Sequence, residues 1–255
     1  MNDRTHRTRR RLRGLSLGVA VVLLAGGAAG QDHRGWDAVL HTYVDDDGRV
    51  AYRRLQAERA NEFDPYLRTL AAAVPDDWPV REQLAFWINA YNAVIVAGVL
   101  DGHTAESLWA RVRFFKLYRR PIAGQERSAE DIEHRVIRPR FRDPRAHFAL
   151  VCASSSCPVL RRDAYTGARL DAQLDDQARR FLHDARRNRI DLDTGTVAVS
   201  AIFKWFAEDF GGDETALAAA LRAYLSPEET TLLARRPIRV LAYDWTLNAQ
   251  PGQRP

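Results

Sequence analysis

The chain has 255 residues, 38 basic and 33 acidic, for a formal net charge of +5. Residues 1–30 hold six arginines and one aspartate, so residues 31–255 carry 32 charges of each sign. The basic balance therefore comes from the N-terminus and excludes an argument for nucleic-acid binding.

That N-terminus reads as a secretory signal peptide. A basic stretch from Arg4 to Arg13 precedes "LSLGVAVVLLAGGAAG", an apolar run ending in small residues, with cleavage expected after Gly30. The run is short for a bilayer span of about 20 residues, so retention as an anchor is the alternative. Thr8-Arg9-Arg10-Arg11-Leu12 also fits a twin-arginine signal. The expected location is periplasmic or secreted, by Sec or Tat, with no membrane contact beyond the export signal.

Residues 31–255 contain no repeat or Pro/Gly linker and are expected to form one domain. "GWDAVLHTYV" spaces Trp36, Val39, Leu40 and Tyr43 for a helix. Asp46-Asp47-Gly48 signals a turn, and "RVAY" reads as a short strand. "RLQAERANEFDPYLRTLAAAV" is helical with a break near Pro65, and Trp78 to Leu100 is the longest apolar helix, stopped by Gly102. "RFFKLYRRPIAGQERS" suggests an irregular hairpin; Ser128 and Asp131 then form a capping box for "AEDIEHRVI". "AHFALVC" is expected to be a buried strand.

Leu170, Leu174, Ala178 and Phe181 make one helical stripe, and "RIDLDTGTVAVS" is a hairpin turning at Asp193-Thr194-Gly195. Ser200 can cap "AIFKWFAEDF", which stops at Gly211-Gly212; two helices follow, the second opened by Ser226-Pro227, and "PIRVLAYDW" is the last strand. Many helices around a few short strands give an α+β fold, mainly helical.

Both cysteines lie in "HFALVCASSSCPVL". On a strand, His147 and Cys152 point to opposite faces, so His147 reaches Cys157 only if the "ASSS" loop folds back. Pro158 suits a first helical position, making Cys157 a helix cap where backbone N–H groups and the peptide dipoles favour thiolate. Cys157 is thus a candidate nucleophile. The opposing reading is a Cys152–Cys157 disulfide, worth about 2 kcal/mol for so short a loop, with free buried thiols as a third. A base would be His134, which follows Glu133, or His147. Only His183 follows Cys157 in the chain, so a papain-like order is unsupported and a His-then-Cys order stays open.

Asn89 and Asn92 lie three apart on one face of the apolar helix. They either brace loop backbone or donate to a substrate oxyanion. Asp244 could orient a histidine or cap a turn; Glu208 and Asp209 read as solvated. No phosphate loop, HExxH or EF-hand motif occurs, and the Cys/His spacing matches no zinc pattern, so no cofactor and no metal are expected.

Together "FWINAYNAV", "SAEDIEHRVIRPRF", "DPRAHFALVCASSSCPVLRRDAYTG", "LDAQLDDQARRFL", "IFKWFAEDFG" and "YDWTLN" resemble the DUF547 family, from about residue 78 to 248. The resemblance implies a single domain, seen in bacterial exported proteins and within larger plant proteins, with no accepted reaction or cofactor. It marks Asn89, Asn92, His147, Cys152, Cys157 and Pro158 as candidate positions. The leading expectation is an exported thiol-dependent hydrolase or acyl transferase using Cys157, with His147 or His134 as base and Asn89 or Asn92 as polar support. The alternative is a non-catalytic binding or scaffold domain with the cysteines bonded; a thiol–disulfide exchange protein ranks last. The substrate or protein partner is unknown.

Overall fold

A computed structural model describes residues 30–255; the expected export signal, apart from Gly30, lies outside the described residues. The fold is α+β and mainly helical. Its centre is α4 (Val80–Leu100), buried along nearly its whole length. Such a helix, apolar on every side, must be surrounded. Around it pack α1 (Arg34–Tyr43), α2 (Tyr52–Glu62) and α3 (Asp64–Ala72), with Trp36, Tyr43, Leu55, Phe63 and Leu70 closing the core. The α2–α3 break falls at Phe63, one residue before Asp64-Pro65, because proline suits the first turn of a new helix and not the middle of an old one.

After α4 the chain forms α5 (Leu108–Arg111), which continues into a wider π-helical turn, Val112–Leu117. The hairpin β1 (Arg120–Ile122) and β2 (Gln125–Arg127) leads to a second π-helical segment, Asp131–Ile137, and to α6 (Arg138–Phe141). The expected capping box is present: the Asp131 N–H donates to Ser128 Oγ and the Ser128 N–H to Asp131 Oδ2, both at 3.1 Å. Beyond lie α7 (Leu170–Leu182), the antiparallel pair β3 (Arg189–Asp191) and β4 (Thr196–Val199), α8 (Ile202–Trp205), α9 (Glu214–Leu221) and α10 (Pro227–Arg235). A second core cluster gathers Phe148, Phe181, Phe203, Phe210 and Leu221. Strand β5 (Arg239–Val240) joins β4 in parallel.

Three local expectations are overturned. "AHFALVC" is not a strand: Pro144–Phe148 is a 3-10 turn whose preceding Asp143 side chain accepts from the Arg145 N–H at 3.0 Å. Asp-Pro at this point is a helix start, and it outweighs the apolar run that follows. Cys157 is not a helix cap, because the chain from Pro158 to Tyr165 has no regular structure; its N–H closes a turn onto the Ser154 carbonyl at 3.1 Å. "RVAY" is no strand either. Val50 makes isolated bridges to Val44 and Ala249, and α2 starts at Tyr52.

Segment 108–117 is seated through Phe114, buried against Gly98 of α4, where an added Cβ would overlap the ring. Gly98→Ala should lower stability by about 1–3 kcal/mol, despite a helix-propensity gain of about 1 kcal/mol. Urea unfolding measures this, and an unchanged midpoint would show the segment to be loosely seated.

Candidate active site

A cleft of about 470 Å³ opens beside the second π-helical segment. Its walls come from segment 108–117, from Glu133 and His134, from His147 to Cys157, and from an aromatic arm, Tyr243 and Trp245. Trp205, Tyr243 and Trp245 pack on one another with ring centroids 4.5–5.6 Å apart, and Arg111 lies over Trp245 at 4.4 Å. The arm is held because Ser154 bridges to Leu247 and the Ser155 N–H donates to the Thr246 carbonyl at 2.8 Å.

His147 is the centre of the polar wall. Its Nε2–H donates to Asp209 Oδ2 at 2.7 Å, its Nδ1 stands 3.7 Å from Glu133 Oε1, and its ring stacks on Phe206 at 4.0 Å. Arg138 donates to both Asp209 oxygens, at 2.6 and 3.1 Å, and to His134 Nδ1 at 2.8 Å. A second, more polar cavity of about 430 Å³ lies behind, sharing His134, His147 and Leu150. His147 therefore stands in the partition between two hollows.

The charges follow from this packing. Burial pushes Glu133 up to about 7, with Arg138 opposing and Asp209 adding to the rise. Burial also lowers His147, although the bond to Asp209 pulls the other way, so the imidazole is neutral near pH 7. Asp209 is lowered: burial would raise it, but the hydrogen bonds from Arg138 and His147 outweigh that. Tyr91, beside Glu133, is raised by its own burial and by that carboxylate. An uncharged imidazole, a carboxyl near its midpoint and a fixed ion pair behind them can take up and release protons at neutral pH.

The cysteines form a Cys152–Cys157 disulfide, with Cα atoms 6.1 Å apart. Cys152 is half-buried and Cys157 is 2% exposed. Tyr243 Oη lies 3.2 Å from each sulfur, and burial pushes its phenol up to about 12, so it faces the pair as a neutral O–H. Arg187, buried, donates to the Cys157 and Ser155 carbonyls. The thiolate argument from a helix start therefore fails; the polar groups at the sulfurs are a phenol, Ser154 Oγ and the Cys152 N–H.

His134, His147, Cys152 and Cys157 all meet at the cleft. Asn89 and Asn92 do not, and their use as oxyanion donors is corrected. Asn89 donates to the Tyr165 carbonyl (2.8 Å) and accepts its N–H (3.0 Å); Asn92 donates to the Ala149 carbonyl (3.0 Å) and accepts the Val151 N–H (2.9 Å). Asp244 accepts from Thr246, capping a turn. Asp209, read as solvated, is the His147 partner. Glu133, which the sequence marks only as the neighbour of His134, is the second carboxyl at the imidazole, next to the buried Ile132 on its segment.

Two measurements follow. Asn92→Ala strands two backbone groups and should cost about 2–4 kcal/mol, read by thermal unfolding. Cys152 and Cys157 should resist alkylation in the folded protein until a reductant is added, and the double serine variant should lose about 2 kcal/mol; labelling of the unreduced protein would contradict the bond.

The cleft lies partly inside a recognised domain. Residues 75–182 match the family model described as "Protein of unknown function, DUF547"; this includes Glu133, His147 and both cysteines and leaves out Asp209 and Tyr243. No curated protein and no solved structure matches the chain. The protein is a DUF547 domain-containing protein.

Proposed function

We propose that the protein is an exported hydrolase or acyl transferase, with the cleft as its active site and Glu133 and His147 as its proton-transfer groups. The supporting observation is that Glu133 and His147 line one wall of an aromatic cleft while Asp209 and Arg138 hold the imidazole from the cavity behind it. Asp209 and Arg138 hold the imidazole in place. The Glu133 carboxylate takes a proton from water or an acceptor hydroxyl as that oxygen attacks the substrate carbonyl. The same proton then passes to the leaving oxygen as the tetrahedral adduct breaks, and Glu133 is ionised again. In this reading the disulfide shapes the cleft beside these groups and takes no part in bond-making.

A second reading keeps Cys157 as the nucleophile with His147 or His134 as base. It is favoured by the shared cleft and requires the cysteine pair to be reduced. The scaffold alternative keeps the disulfide and has no chemistry.

Hydrolysis of a series of 4-nitrophenyl esters separates these readings. Under the acid–base reading the rate rises with pH through about 7, the value to which burial lifts Glu133, and Glu133→Gln lowers kcat by about 100-fold or more. The Cys152→Ser/Cys157→Ser protein retains activity. Activity seen only after reduction and abolished by Cys157→Ser would replace this reading with the thiol route. No turnover of any ester would reject both.

Stability supplies an independent check on Glu133. A carboxyl raised from 4.5 to about 7 in the folded state binds protons more tightly there than when unfolded. Its effect is therefore a loss of stability as pH rises across that window. Glu133→Gln should flatten the fall and stabilise the protein above pH 7 by roughly 1–3 kcal/mol, measured by urea unfolding across pH.

A further inference from the structure

We infer that segment 108–117 is a docking element for an anionic lipid bilayer, placed so that an acyl-bearing lipid passes from the bilayer into the cleft. The lipid as substrate rests on the catalytic reading above; the docking stands on the segment's own surface.

The segment divides into three sides. Phe114 points inward and is buried against α4. Leu108, Arg111, Val112, Phe115 and Lys116 line the cleft. The remaining side presents Trp109, Arg113 and Leu117, four residues apart, to solvent. Leu108 is 77% exposed, Trp109 67% and Leu117 60%, in a span of ten residues. Trp205, also substantially exposed, stands at the same mouth. Single exposed apolar side chains are ordinary, but a cluster at the rim of an apolar cleft marks a surface that something covers.

Charge selects the covering surface. From Leu108 to Arg120 there are five basic residues and no acidic one. Lys116, Arg119 and Arg120 pair with Glu130, Asp131 and Asp101. Arg113, on the outward side, has no acidic partner among the described residues; Arg111 has none either, but it lies over Trp245 in the cleft and donates to the Ala105 carbonyl at 3.1 Å. A short helical element with tryptophan and leucine outward, Arg113 between them and paired basic residues flanking it has the composition of segments that lie in the headgroup region of anionic membranes, the rings among the acyl ends and the cation at the phosphates. The aromatic cleft opening beside it then offers a route for an acyl chain to reach Glu133 and His147.

The test uses the full chain and vesicles of phosphatidylcholine mixed with phosphatidylglycerol, with brominated acyl chains as tryptophan quenchers. The N-terminal apolar run is common to every variant, so the reading is local to Trp109. Quenching should be present in the wild type, should drop clearly in Trp109→Phe, and should weaken with added salt. Arg113→Glu with Leu117→Asp should reduce the same quenching about tenfold or more in the lipid titration. Glu133→Gln should dock like the wild type, so a failure of the acid–base reading leaves this result intact. Equal quenching in wild type and Trp109→Phe, or equal quenching on pure phosphatidylcholine, would overturn the proposal. So would concentration-dependent self-association, lost in the double variant, that replaces vesicle binding; the patch would then join two copies of the chain.

Discussion

A row of buried side-chain amides holds the cleft in shape. The chain from Ala149 to Thr166 is largely buried yet makes almost no regular structure, so its backbone groups have no ladder or helix to satisfy them. Asn89 and Asn92 on α4 and Gln173 and Gln177 on α7 take that place. Gln177 donates to the carbonyls of Phe148 and Val159 at 3.0 and 2.7 Å; Gln173 donates to Ala164 and accepts the Thr166 N–H. Unpaired backbone polar groups in an interior are costly enough that such substitutes are obligatory. Two helices thereby impose one path on a segment with little conformational preference of its own.

That path accounts for the site. Clamped at Ala149 and Val151 by Asn92, the chain delivers Cys152 to the cleft wall directly after the 3-10 turn that carries His147. The loop from Ala153 to Ser156 then runs against the C-terminal arm, which sets Tyr243 over both sulfurs. Arg187 ties the same loop from the other side through its carbonyls. Disulfide, phenol and imidazole share a wall because the backbone between them has nowhere else to go.

The electrostatics follow from unequal burial in a small space. Glu133 is enclosed and lacks a paired cation at hydrogen-bond distance, so its proton is held to near neutrality. Asp209, at the other nitrogen of the same imidazole and bonded to Arg138 and His147, stays ionised. Two carboxyl groups flanking one imidazole, pushed to opposite sides of their ordinary range, are the arrangement from which acid and base roles can be divided. Apolar rings around them keep the local dielectric low and the contrast large.

Much of the secondary structure was legible along the chain: the α1, α4 and α7 stripes, the Ser128 capping box, the Ser226-Pro227 helix start and the β3–β4 turn all follow from short-range chemistry. So was the neighbourhood of the site, since His134, His147 and both cysteines fall in the quoted blocks and meet at one cleft. The strand expected at "AHFALVC" failed because an apolar run does not distinguish a strand from buried irregular chain, and Asp143-Pro144 acted locally against it. The amides' partners, the pairing of Asp209 with His147 across 62 positions, and the approach of Tyr243 to the sulfurs depend on contacts between distant segments. The sequence by itself determined which residues could carry chemistry and which helices would form, because those are properties of neighbours a few positions apart. Only the tertiary structure decided which of them face each other, because burial, and with it the protonation of Glu133 and the bonding of the cysteines, exists only once α4, α7 and the C-terminal arm enclose the loop between them.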